Sequence, residues 1–182
     1  LMSLAPISHA ALYIGDGQIV EARTSGVRVG GFQELLAGEI AVVALRYPDL
    51  SEEQAGEIRA YALNQVGAPF NLLGLMLHVP LTIPRTACEL PLAPSGARDA
   101  CIRAVGNIQQ LSPRSSQFFC SQLVLQSFRH AGVPITDADP RIVRPADILH
   151  MREGDVPSIR ASRRLVYVGL LKRPPLAELA LE

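Results

Sequence analysis

Polar and apolar positions alternate from residue 8 onward. His9, Ala11 and Tyr13 fall on one face and Ala10, Leu12 and Ile14 on the other, followed by Gly15-Asp16-Gly17 and then Gln18 to Arg23. A period of two on either side of a glycine-rich turn predicts a β-hairpin. "IAVVALRY", residues 40 to 47, predicts a further strand closed by Pro48. A helix then starts at Ser51, whose hydroxyl is placed to cap it while Gln54 reaches back, and runs to about Val66, where Gly67 supplies the stop.

Later in the chain, "SSQFFCSQLVLQSFRHAGVP" sets Leu123, Val124, Phe128 and Ala131 at helical spacing, with Gly132 and Pro134 ending the run and Cys120 on its first turn. "RRLVYVGLLKR" reads as a C-terminal strand followed by a loose tail. "GAPFNLLGLMLHVP" reads as a turn into a short apolar helix. Between residues 80 and 117 proline and glycine break every pattern except a helical stretch over 97–110, so this segment is an insertion or lid. "GVRVGG", residues 26 to 31, has too few correctly spaced glycines for a phosphate loop and predicts a turn. With no repeat and more strands than crossovers, the fold class is α+β with a mostly antiparallel sheet.

Length makes this a single domain over 1–182, since 182 residues suffice for one real core. Apolar residues at 48% and charged residues at 19% are globular proportions. Seventeen Lys and Arg offset seventeen Asp and Glu, so charge gives no reason to expect nucleic acid. The apolar run near residues 69–83, broken by Asn71, Gly74, His78 and Pro80, is too short to predict a transmembrane segment. No signal-peptide pattern opens the chain, so a cytoplasmic location is the default expectation, with a secreted effector the alternative. Cys88, Cys101 and Cys120 are an odd number without CxxC spacing, which argues against a disulfide framework and a structural zinc site. No cofactor is expected.

Candidate chemistry begins with Cys120. A thiol on the first turn of a helix meets unsatisfied N–H groups and the positive end of the helix dipole, both of which favour an anion. An isolated helical cysteine is ordinarily a small buried apolar side chain, so the thiol gains meaning only with a base and an orienting partner. The hairpin offers both. A two-residue loop at Asp16-Gly17 sends His9 and Glu21 to opposite faces; a three-residue loop pairs Ala11 with Glu21 and sets Glu21 diagonally across from His9 on one face. His78, His130 and His150 lack ligand spacing and read as structural. Asp147 reads as a local cap, and Arg163-Arg164 as a solvated basic edge.

These segments resemble a known family. "HAALYIGDGQIVEA" is similar to the His block of NlpC/P60 cysteine peptidases, in which a histidine begins one strand and a polar residue on the next orients it. The later position of "FFCSQLV" resembles the circularly permuted YiiX-like and YaeF-like branch. "NQVGAPFN" and "RPADIL" are similar to two further segments of that branch. Gln122 stands where the family usually has glutamate, and Phe119 where it has tyrosine.

The resemblance implies a papain-like fold with the nucleophilic cysteine at the start of a packed helix. It also implies a thiol hydrolase of amide bonds, acting on a peptide or cell-wall peptide through an acyl-enzyme. Cys120 would be the nucleophile, His9 the base and Glu21 its orienting carboxylate. The same residues are compatible with a lipid-directed acyltransferase or thioesterase of the same superfamily, using residues 72–83 as a greasy channel, or with an inert binding module. Oligomeric state is not legible.

Overall fold

The computed structural model describes residues 8–70, 101, 119–155 and 159–172. Strands β1 (Ala11–Gly15) and β2 (Gln18–Arg23) form the opening hairpin, with Ala11 opposite Glu21, Leu12 opposite Val20 and Tyr13 opposite Ile19. Closer to the turn the register slips, so that Gly15 faces Gln18. The pairing is thus that of a three-residue loop, reached by a two-residue Asp16-Gly17 turn plus a bulge. Gly15, Asp16 and Gly17 all take positive φ, at 99°, 51° and 69°. Glycine at two of these positions removes the Cβ penalty of that conformation.

Residues 26–31 form a strand rather than the expected turn. Strand β3 (Gly26–Gly31) pairs antiparallel with β2, setting Arg28 opposite Glu21 and Val29 opposite Val20. Val27 and Val29 alternate with Arg28 and Gly30, which suits the free edge of β2, and the turn itself falls on Thr24-Ser25. Gly26 is required where β3 begins: its φ is +111°, and a Cβ there would lie 2.8 Å from the Ala68 carbonyl oxygen. That oxygen accepts a hydrogen bond from Val27 N at 2.9 Å, tying β3 to the segment after the second helix.

Helix α1 (Phe32–Gly38) follows, unsignalled because it is short and its cap residue, Gly31, has no side chain. Strand β4 (Val42–Arg46) lies within the expected 40–47 and pairs antiparallel with β5 (Val166–Lys172) as a separate two-stranded sheet. Helix α2 (Glu52–Asn64) carries the expected capping box: Ser51 Oγ accepts from Gln54 N and Gln54 Oε1 from Ser51 N, both at 3.1 Å. Helix α3 (Cys120–His130) is followed by a 3₁₀ turn (Pro140–Ile142) and α4 (Pro145–His150).

Helix α3 is the centre of the packing. It touches α2 and also β1 and β2, and its Leu123, Val124, Leu125 and Phe128 are buried with Leu12, Ile14, Val20, Ala22, Ile58 and Ala62. Each large side chain so buried contributes roughly 1.5–3 kcal/mol. The Phe128 ring stacks on Tyr47 with centroids 5.4 Å apart. The architecture is α+β with antiparallel sheets, and α3 is held so that its N-terminus meets the hairpin.

The expected apolar helix after residue 70, most of the insertion or lid and the C-terminal tail lie outside the described residues. Cys101 is exposed, helical and disulfide-bonded, which corrects the reading of an isolated cysteine as a small buried side chain there; a single bond is still no disulfide framework. Cys120 is a free thiol among the described residues. Among the described residues no helix is long and apolar enough to cross a membrane.

Candidate active site

His9 stands two residues before β1, on the face that Ala11 shares with Glu21, and its Nε2 lies 2.8 Å from Glu21 Oε2. Glu21 sits in the middle strand of its sheet and is only 1% exposed. Cys120, the first residue of α3, stands near enough to the same imidazole to raise its pKa. Strand parity and helix packing thus bring the three residues together from distant parts of the chain. Phe119, the residue before α3, is extended and gives no side-chain cap, so the first-turn N–H groups are not taken up by it.

Charge on this line is shifted at both groups of the hairpin. Burial alone would push His9 down, but the hydrogen bond and charge of Cys120, together with those of Glu21, outweigh it and hold the imidazole above its ordinary 6.5. Burial likewise pushes Glu21 up, and the Arg23 guanidinium beside it, with hydrogen bonds from His9 and Arg28, more than reverses this, holding the carboxyl below its ordinary 4.5. The result favours an imidazolium facing a carboxylate.

Arg23 and Arg28 were not anticipated. Arg23 Nε lies 2.9 Å from Glu21 Oε2, the oxygen that also holds His9, as an ion pair rather than a hydrogen bond, since this nitrogen has no hydrogen-bond partner among the described residues. Arg28 donates from Nε at 2.9 Å to Glu21 Oε1, with its Nη2 at 2.8 Å from the same oxygen. Each guanidinium also reaches an outer carboxylate, Arg23 to Glu39 at 3.1 Å and Arg28 to Glu34 at 2.9 Å. Period two along β2 already puts Arg23 on Glu21's face. Reading residues 26–31 as a strand would have put Arg28 opposite Glu21.

Other candidates stay apart. The His130 ring packs on Tyr61, and His150 pairs with Asp155 at 3.0 Å; His78 lies outside the described residues. Asp147 caps α4, accepting from Arg144 N at 2.7 Å, as expected of it. Arg163 pairs with Asp49 in solvent. Gln122 is buried, and its Oε1 has no hydrogen-bond partner among the described residues. No group of three or more metal-ligating side chains occurs among the described residues.

Comparison with known proteins gives one informative match. The chain is similar to the probable lipoprotein peptidase YaeF of Escherichia coli (strain K12), with 31% identity over 175 residues. That similarity covers 94% of this chain but 64% of the relative, so the chain spans less than two thirds of that protein's length. No family model matches the chain. No solved structure matches it.

Proposed function

We propose that this chain is a thiol peptidase of the permuted NlpC/P60 type, folded as one papain-like domain, in which Cys120, His9 and Glu21 act on an amide bond. The observation that carries the reading is the His9 imidazole bonded at 2.8 Å to Glu21, with Cys120 beside it on the first turn of α3. Chain order His, Glu, Cys is no obstacle, because such arrangements are defined by geometry. The relative's name, a peptidase, supports the reaction class.

Cys120 gives up its proton to His9 and its sulfur attacks the carbonyl carbon, making a tetrahedral oxyanion. Uncapped first-turn N–H groups of α3, that of Cys120 among them, face the growing charge; one such donor contributes roughly 3–4 kcal/mol in studied enzymes. His9 then protonates the leaving amine, the C–N bond breaks, and a thioester remains on Cys120. Water, deprotonated by His9, hydrolyses the thioester and returns the thiol. Glu21 accepts from Nε2–H, which fixes the tautomer and leaves Nδ1 for the moving proton.

The substrate is a peptide, cell-wall peptides included. The segment that would make a lipid channel lies outside the described residues, so no observation favours the acyltransferase reading. The Cys101 disulfide supports an oxidising compartment, since cytosolic thiols are kept reduced. The test is hydrolysis of peptides and peptidoglycan fragments, beside a lipid thioester, by the parent and by Cys120→Ala. Peptide cleavage by the parent that falls at least about a thousandfold in the variant supports the reading; equal rates, or turnover of the thioester alone, overturn it.

A further inference from the structure

Glu21 is held from three sides. His9 and Arg23 share Oε2, while Arg28 takes Oε1 with two nitrogens. A carboxylate this buried has a large desolvation cost as an anion and, with one partner removed, either binds a proton or turns toward another donor. An ionised carboxylate accepts on both oxygens, whereas a protonated one spends one of them on an O–H donor. The His9–Glu21 contact therefore depends on groups beyond His9 and Cys120.

We propose that Arg23 and Arg28 are positioning residues for this site: their guanidiniums fix the Glu21 carboxylate so that Oε2 stays on His9 Nε2. The inference rests on the reading of Cys120, His9 and Glu21 given above. Two features of the surroundings support it. Arg28 is the direct cross-strand partner of Glu21, so the contact is set by sheet register rather than by chance of rotamer. Gly30 leaves the space beside Oε1 open: a Cβ there would stand 3.5 Å from Glu21 Oε1 and 3.8 Å from Arg28 Nη2.

Charge balance points the same way. Three carboxylates, Glu21, Glu34 and Glu39, face two guanidiniums, leaving one negative charge that favours a proton moving onto His9. Among the described residues, the charged or titratable groups facing His9 are Glu21 from β2 and Cys120 from α3, with Arg23, Arg28, Glu34 and Glu39 behind Glu21. Lysine in place of either arginine keeps charge but loses the planar fork, so it restores the balance without the full geometry.

The test is the ¹⁵N and ¹³C NMR titration of His9 in the whole protein, for the parent, Arg28→Gln, the double Arg23→Gln/Arg28→Gln variant and the corresponding lysine variants. In the double glutamine variant Glu21 loses its charge or turns away, the His9 midpoint falls by about one unit, and the Nε2–H tautomer no longer dominates. Arg28→Gln alone weakens that tautomer preference, and lysine variants restore part of it. Arg28 is 39% exposed, so its single substitution keeps a folded protein to measure if the double variant does not fold. A parent-like midpoint and tautomer in the folded glutamine variants overturn the proposal. Kinetics give a second reading: kcat falls at least about tenfold with KM nearly unchanged. If the parent cleaves no peptide, the peptidase reading fails while the titration still decides the role of the arginines.

Discussion

His9 Nε2 lies 2.8 Å from Glu21 Oε2, although the two residues are twelve positions apart. A bulge at the hairpin tip makes this contact: it turns a two-residue loop into the register in which Ala11 faces Glu21. Without it, parity would put the imidazole and the carboxylate on opposite faces of the sheet.

Cys120 helps to hold the proton on that imidazole. In Cys120→Ala the His9 midpoint is lower than in the parent, since one hydrogen bond and one charge that raise it are gone while Glu21 remains. NMR titration of the two proteins checks this. An unchanged midpoint would mean that thiol and imidazole are not coupled in solution.

Both shifted groups make stability depend on pH. Glu21, held below 4.5, contributes stability that is present above that pH and is lost as pH falls through its folded value. His9, held above 6.5, contributes stability that is full below that pH and is lost as pH rises through its folded value. Both contributions are complete between about pH 4.5 and 6.5. Thermal melts should show the acid limb flattened in Glu21→Gln and the alkaline limb flattened in His9→Gln. Glu21→Gln also removes the shared carboxylate from two guanidiniums that stay partly exposed and keep Glu39 and Glu34, and should lose about 1–3 kcal/mol near neutral pH.

Gly26 and Gly132 both take positive φ, but only Gly26 has a neighbour where a Cβ would stand, the Ala68 carbonyl oxygen at 2.8 Å. Alanine at Gly132 should cost about 1 kcal/mol of backbone strain, and alanine at Gly26 more than that, because the contact joining β3 to the end of α2 must open. Urea unfolding of the two variants measures the difference. Equal losses would show that the close approach is not maintained.

Leu123, fully buried on the helix that begins with Cys120, packs α3 into the shared core. Leu123→Ala should lose about 2–5 kcal/mol in denaturant unfolding. A loss below 1 kcal/mol would contradict the packing of α3 as the centre of the fold.

What could be read from the chain was local or periodic. The capping box at Ser51 and Gln54 and the stop at Gly67 fixed α2 from side chains a few residues apart. The alternation around Asp16-Gly17 gave the hairpin, though the bulge that sets its register depends on backbone angles at Gly15. Residues 26–31 were misjudged because three glycines outweighed the alternation of Val27 and Val29, whose strand exists only by pairing with β2. That misreading also hid Arg28. Helix α1 escaped for want of a capping side chain, and the disulfide at Cys101 because counting cysteines does not identify pairs.

The central claim is that the His9 imidazole activates the Cys120 sulfur. Alkylation of Cys120 by iodoacetamide at pH 6.5, followed by mass spectrometry of the labelled peptide in the parent and in His9→Ala, tests it directly. The parent should react at least about tenfold faster than the variant. Equal rates in two folded proteins would contradict the account.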